Sequence, residues 1–248
     1  MDPDRRLACE WRAAANHNER AAGTPVDMLV LHYTGMESEQ GALDWLCREE
    51  SRVSCHYFVF TDGRIVQSVS ETRRAWHAGV SSWRGFSDLN SRSIGIEIAN
   101  PGHAYCYPDF PAVQMEAVTA LCADICARLA IAPRLVLAHS DVAPARKIDP
   151  GEKFDWALLA RHGIGHWVVP APARGGRFFQ QGDSGQPVEA LQAMLALYGY
   201  GVEVSGIYDT TTQQAVSAFQ RHFRQEKVDG IADVSTIETL HRLLSALP

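Results

Sequence analysis

Hydrophobic and polar positions divide the chain into two regimes. In the first, short apolar runs end on polar residues. Met28-Leu-Val-Leu-His-Tyr33 reads as a buried strand, and a helical stripe follows at Ala42, Leu43, Trp45 and Leu46. His56-Tyr-Phe-Val-Phe60 and Ile65-Val-Gln67 flank Thr61-Asp62-Gly63-Arg64, an Asp-Gly hairpin signal. Ser93-Ile-Gly-Ile-Glu-Ile98 alternates apolar with small or polar residues, again as a strand does. Val113 to Leu129 has helical periodicity and stops before Pro133. Arg134-Leu-Val-Leu-Ala138 reads as a further buried strand that delivers His139 at its end. Strands interspersed with helices, two of them joined as a hairpin, predict an α/β domain over residues 1–167. Its expected core is a mixed central β-sheet flanked by helices.

Val168-Val-Pro-Ala-Pro-Ala-Arg-Gly-Gly176 has the composition of a linker, placed at 168–177. Beyond it the pattern turns wholly helical. Val188 to Tyr198 carries Leu191, Met194, Leu195 and Tyr198 on one stripe. Two later helices begin alike, with G-I-x-D-x-x-T at Gly206–Thr212 and again at Gly230–Thr236. Asp209 and Asp233 are placed to cap them, each after a glycine turn. Residues 178–248 are therefore expected to form a small all-α, three-helix C-terminal domain. It carries few candidate catalytic groups, which points to binding or docking.

Composition narrows the function. The chain has 248 residues, 46% hydrophobic and 21% charged, as a globular protein does. Lys and Arg total 23 against 29 Asp and Glu, a net charge of −6 that argues against nucleic acid as partner. No stretch approaches the roughly 20 apolar residues of a membrane span. Met1 to Gly23 is polar and lacks the apolar core of a secretory signal, so no signal peptide is visible. Periplasm or cell envelope and cytoplasm both remain open, and so does homo-oligomer formation. The cysteines at 9, 47, 55, 106, 122 and 126 form no framework and read as free thiols.

Metal chemistry needs neutral imidazoles and carboxylates on rigid elements, with one coordination position left open. His32 and His139 at strand ends qualify, as does Asp149, stiffened by Pro150. Two histidines, an aspartate and water make a tetrahedral zinc site of catalytic type. Ten histidines offer many chance trios, however, and an isolated strand-end histidine is more often structural. Glu97 interrupts an apolar strand, where an unpaired carboxylate is costly. It reads either as a residue on a solvated sheet face or as a general base facing a cavity. Lys147 stands two residues before Asp149, on the same side of an extended segment, where a cation would stabilise an oxyanion. Its plain reading is an exposed surface lysine.

Leu31-His-Tyr-Thr34, Ser54-Cys-His-Tyr57, Ala75-Trp-His-Ala-Gly79, Ser93 to Asn100, Ala138-His-Ser-Asp141 and Arg146-Lys-Ile-Asp-Pro-Gly151 occur in that order. Together they resemble the type 2 N-acetylmuramoyl-L-alanine amidases. The nearest likeness is to the subgroup with a C-terminal peptidoglycan-binding-like module, whose signature survives at Tyr198-Gly-Tyr200, Ala218-Phe-Gln220 and Asp229-Gly230. Ser205-Gly-Ile-Tyr-Asp209 departs from that module's usual pattern.

The resemblance implies one Zn2+ per chain on His32, His139 and Asp149, with Glu97 and Lys147 as catalytic groups. It implies substrate contacts from Trp76, His77 and Asn100, with His56 and Arg84 as further candidates. Arg84 and Arg92 are placed to pair with a stem-peptide carboxylate, although the plain reading of each is a solvated surface arginine. The expected reaction is hydrolysis of the amide between the lactyl group of N-acetylmuramic or anhydromuramic acid and L-alanine, in peptidoglycan or muropeptides. The alternative is a protein that binds peptidoglycan without cutting it.

Overall fold

The computed structural model describes residues 9–173 and 175–247. The polar N-terminal stretch up to Ala8, Arg174 of the expected linker and Pro248 lie outside the described residues.

Among the described residues, eight strands form two sheets. They are β1 (Glu10–Trp11), β2 (His17–Glu19), β3 (Met28–Tyr33), β4 (Tyr57–Val59), β5 (Ile65–Gln67), β6 (Arg73–Ala75), β7 (Ser93–Ile98) and β8 (Val136–Ala138). The main sheet runs β1-β5-β4-β7-β3-β8, and β2 pairs with β6 in a small separate ladder. Only the β4–β5 hairpin pairs antiparallel in the main sheet; its other neighbours are parallel. The expected mixed sheet is therefore present, with the turn at Asp62-Gly63, where Gly63 takes φ +86°.

Helices cover both faces of this sheet. They are α1 (Glu39–Cys47), α2 (Leu89–Arg92), α3 (Ala112–Leu129), α4 (His139–Val142) and α5 (Trp156–Arg161), followed by α6 (Gln186–Tyr198), α7 (Thr210–Phe223) and α8 (Val234–Ser245). α3 buries Met115, Val118, Leu121, Cys122 and Ile125 in the same core as Leu29, Leu31, Ile94 and Ile96. α1 packs Ala42, Leu43 and Leu46 with Phe58, Phe60 and Val66 on the opposite face. Burial on both faces explains why β3 is apolar throughout until His32.

The C-terminal helices repeat one local device. Asp209 and Asp233 accept from the backbone N–H of Thr212 and Thr236, as N-caps do. Gln192 accepts from Gly206 N and donates to Ile207 O and Thr212 Oγ1. Gln220 does the same with Gly230, Ile231 and Thr236. Each buried glutamine thus ties the turn before the next helix to the helix before it. Residues 168–173 and 175–177 are irregular, and the stretch is anchored: Ala171 donates to Thr239 Oγ1 and accepts from Ser235 Oγ.

The helical module shares a core with the sheet domain. Trp83 is fully buried against Tyr198 and Tyr200 in edge-on contacts, and His222 stacks on Trp156 at 3.7 Å between ring centroids. Asp141, the third residue of α4, is fully buried. It accepts from Ala138 N at 2.8 Å, Tyr200 Oη at 2.7 Å and His222 Nδ1 at 2.6 Å.

Candidate active site

Parallel register sets the site. Across β3 and β7, His32 is the direct neighbour of Glu97, and across β3 and β8, Leu31 pairs with Ala138. His139 therefore leaves β8 beside His32 at the carboxyl ends of three adjacent parallel strands, the edge where open α/β sheets gather ligands. Asp149 joins from the following loop, whose carbonyl at Asp149 accepts from Ser140 N at 3.0 Å.

Three donor atoms converge there. His32 Nδ1 lies 2.8 Å from His139 Nδ1 and 3.2 Å from Asp149 Oδ2, and His139 Nδ1 lies 3.0 Å from the same oxygen. All three residues are buried, and they form a group of metal-ligating type. Ligand atoms at about 2.0–2.2 Å from a tetrahedral zinc stand roughly 3.3–3.5 Å apart, so the spacing fits such an ion with small adjustment. Burial, helped by the neighbouring His139, lowers His32 to about 4, which keeps the ring neutral and its lone pair available. Burial opposes ionisation of Asp149, but His139 and His32 outweigh it and hold the carboxyl below its ordinary range.

The cluster opens on a cleft of about 460 Å³, the size of a small-ligand site. Glu97, Lys147, Trp76 and His77 line it together with His139 and Asp149. Glu97 Oε2 is buried without a hydrogen-bond partner among the described residues. Burial, then the Asp149 charge, pushes its carboxyl well above the usual range, and Lys147 partly offsets this. A divalent cation on the cluster would draw it back down. A carboxyl tuned in this way suits proton transfer near neutral pH.

Other expected substrate contacts lie elsewhere. Asn100 is buried and commits its amide to Pro108 O and Gly102 N, shaping the loop after β7. His56 sits under the sheet end, where Gly95 N donates to its Nδ1, and burial, with Arg20 nearby, lowers it to about 3. Arg84 is exposed on a turn whose backbone N–H donates to Gly199 O. Arg92 pairs with Asp27. None of these four lines the cleft. His77 does line it, but both ring nitrogens are engaged, Nδ1 with His32 and Nε2 with Ser93.

Sequence reasoning passed over three residues. Arg146 lines the cleft and donates to the carbonyls of Ala78 and Val80. Asn90 Oδ1 accepts from both His77 N and Ala78 N. Arg20, partly buried, donates to the carbonyls of Glu71, Asn90, Ser91 and Ser93. Arg146 opens one of the motifs above without a role of its own there, Asn90 is one of several polar residues in α2, and Arg20 shows only polarity in a loop.

Residues 22–152, more than half of the chain, match the family described as N-acetylmuramoyl-L-alanine amidase. The chain belongs to that family. Residues 184–240 match a family named for peptidoglycan binding. The amidase is 38% identical to the N-acetylmuramoyl-L-alanine amidase AmiD of Escherichia coli over 91% of its own length and 84% of that relative. Its structure is similar to AmiD in complex with the substrate anhydro-N-acetylmuramic acid-L-Ala-D-gamma-Glu-L-Lys, with a TM-score of 0.76, 36% identity and 92% of each chain covered. It is also similar to AmpDH3 from Pseudomonas aeruginosa in complex with anhydromuramic pentapeptide, with a TM-score of 0.75, 29% identity and 96% and 99% of the two chains covered. The amidase is thus a hydrolase of peptidoglycan turnover.

Proposed function

We propose that this amidase binds zinc and hydrolyses the amide between the lactyl group of a muramic or anhydromuramic acid and the L-alanine of the stem peptide. The convergence of His32, His139 and Asp149 beside the unpartnered carboxylate oxygen of Glu97 carries this reading. The muropeptides bound by the two similar structures support the anhydromuramic form as substrate. Residues 1–167 would be the catalytic domain and 168–177 the connection. Residues 178–248 would be the peptidoglycan-binding-like module.

His32, His139 and Asp149 would hold the zinc, which when bound supplies Lewis acidity to the scissile carbonyl and to water. Glu97 takes a proton from the attacking water as the C–O bond forms. Lys147 places a cation beside the oxygen that gains negative charge in the tetrahedral transition state. Glu97 then passes the proton to the alanine nitrogen as the C–N bond breaks, because an amide nitrogen leaves only when protonated. The products are a lactyl carboxylate and a free stem peptide. Trp76 supplies an apolar wall to the cleft.

Mass spectrometry of products from purified anhydromuropeptides and intact sacculi, with and without chelator, tests the reading. Chelator-sensitive release of stem peptides beginning at L-alanine is expected. Intact muropeptides in every tube from folded, zinc-loaded protein would leave binding as the function.

A further inference from the structure

The segment Trp76–Gly79 touches both histidines of the metal cluster from behind. His32 Nε2 lies 3.0 Å from His77 Nδ1, and His139 Nε2 lies 3.3 Å from the carbonyl of Ala78. Proton positions along these contacts follow from groups that have no choice of role. The Leu89 carbonyl only accepts, so the Ser93 hydroxyl donates to it, at 2.6 Å. Having spent its one hydrogen, Ser93 Oγ accepts from His77 Nε2–H at 3.2 Å. With the one proton of the buried imidazole committed to Ser93 through Nε2, its Nδ1 is a bare lone pair. That lone pair accepts from His32 Nε2–H, which leaves His32 Nδ1 unprotonated. On the other side the Ala78 carbonyl only accepts, so it draws the His139 proton to Nε2 and frees Nδ1.

Resting on the zinc reading above, we infer that segment 76–79 selects the ring tautomer of both histidine ligands, with His77 acting as a positioning residue rather than a substrate contact. Two bare imidazole nitrogens and the Asp149 carboxylate oxygen then face one another within 3.2 Å with no proton between them, an arrangement that calls for a cation. The segment is held for this task. Asn90 Oδ1 fixes the N–H groups of His77 and Ala78, and Arg146 ties the carbonyls of Ala78 and Val80. Gly95 lies directly beneath the His77 ring, where a Cβ would sit 2.4 Å from Cγ, so the strand has been cleared to admit the imidazole.

Partners that orient a ligating histidine are worth roughly 10–100-fold in metal affinity, and His77→Leu should weaken zinc binding by about that factor in competition with a chromophoric chelator. His77→Asn, whose amide oxygen stands near the position of Nδ1, should recover most of the loss. Ser93→Ala, which removes only the group that orders His77, should weaken binding less than His77→Leu. Thermal unfolding of each variant separates this from a folding defect, since a purely structural His77 would not be rescued at the metal by asparagine. Long-range 1H–15N correlation spectra of the metal-free wild-type chain should place the His32 proton on Nε2, a readout that needs no zinc binding at all. A His32 proton on Nδ1, or folded His77→Leu with wild-type zinc affinity, would overturn the inference. Failure of the wild type to bind zinc would instead remove the zinc reading while leaving the tautomer readable.

Discussion

Replacing Gly95 by alanine adds one methyl group at the most confined point behind the metal cluster. The new carbon would meet His77 Cγ, Nδ1 and Cδ2 at 2.4, 2.5 and 2.6 Å. Ordinary carbon contacts begin near 3.5 Å, so ring and strand must separate by about 1 Å. Neither yields readily. β7 is an inner strand between β4 and β3, and His77 is pinned by Asn90 and bounded by the His56 ring at 5.6 Å between centroids. Moving the ring by about 1 Å would stretch its 3.0 Å contact with His32 beyond hydrogen-bond range. Overpacking of this kind costs about 1–3 kcal/mol of stability, and each kcal/mol lowers Tm by about 2–4 °C in a chain of this size. A displacement of about 1 Å in a catalytic constellation costs on the order of 10²-fold in rate. The assay pairs initial rates of stem-peptide release with a thermal melt. An alanine variant with wild-type rate and unchanged Tm would refute the claim that the strand is shaped around His77.

Other expectations follow from single residues. Glu97→Gln should keep its zinc but lose about 10²–10⁴ in turnover, the worth of a positioned acid–base group, as read by metal analysis alongside kinetics; near-normal turnover would remove Glu97 from proton transfer. His56 stays neutral in the fold down to about 3, whereas an unfolded histidine takes up a proton near 6.5. The unfolded state therefore binds more protons between those limits, and stability should fall as pH drops from about 6.5 toward 3, on the order of 1 kcal/mol per pH unit. Urea unfolding of metal-free protein with equal stability at neutral pH and in that acid range would contradict this. His222→Ala removes the ring stacked on Trp156 and leaves Asp141 buried with one partner fewer, which should cost about 3–5 kcal/mol in a denaturant titration. A loss under about 1 kcal/mol would mark the pair as peripheral.

What the sequence disclosed was whatever periodicity and strand ends disclose. The unbroken apolar runs of β3 and β8 made His32 and His139 visible as polar endings, and Glu97 stood out as a carboxylate between isoleucines. The hairpin was marked by Asp62-Gly63 and the last two helices by their aspartate caps. Residues whose meaning lies in long-range pairing gave no such signal. Arg20 reads as a surface arginine until carbonyls 51 to 73 positions away close around it. Gln192 and Gln220 look like ordinary helix formers, and nothing local shows that each laces a later turn. The β2–β6 ladder is three residues long and largely polar, below what alternation can reveal. Asn100 and His56 stood in motifs beside the site, yet three-dimensional register turned their polar atoms into the loop and under the sheet.

The buried carboxylate of Asp141 bears on modularity. Two of its three hydrogen-bond partners, Tyr200 and His222, come from the helical module, and the carboxylate itself caps the strand end from which His139 departs. Severing the chain between the two parts would leave that carboxylate stranded beside the strand end that carries His139 and expose Trp83 and Trp156. The module is therefore not a detachable glycan anchor whose removal isolates catalysis. Any exchange of it between relatives has to bring its own tyrosine and histidine, or a neutral residue at position 141 to receive it.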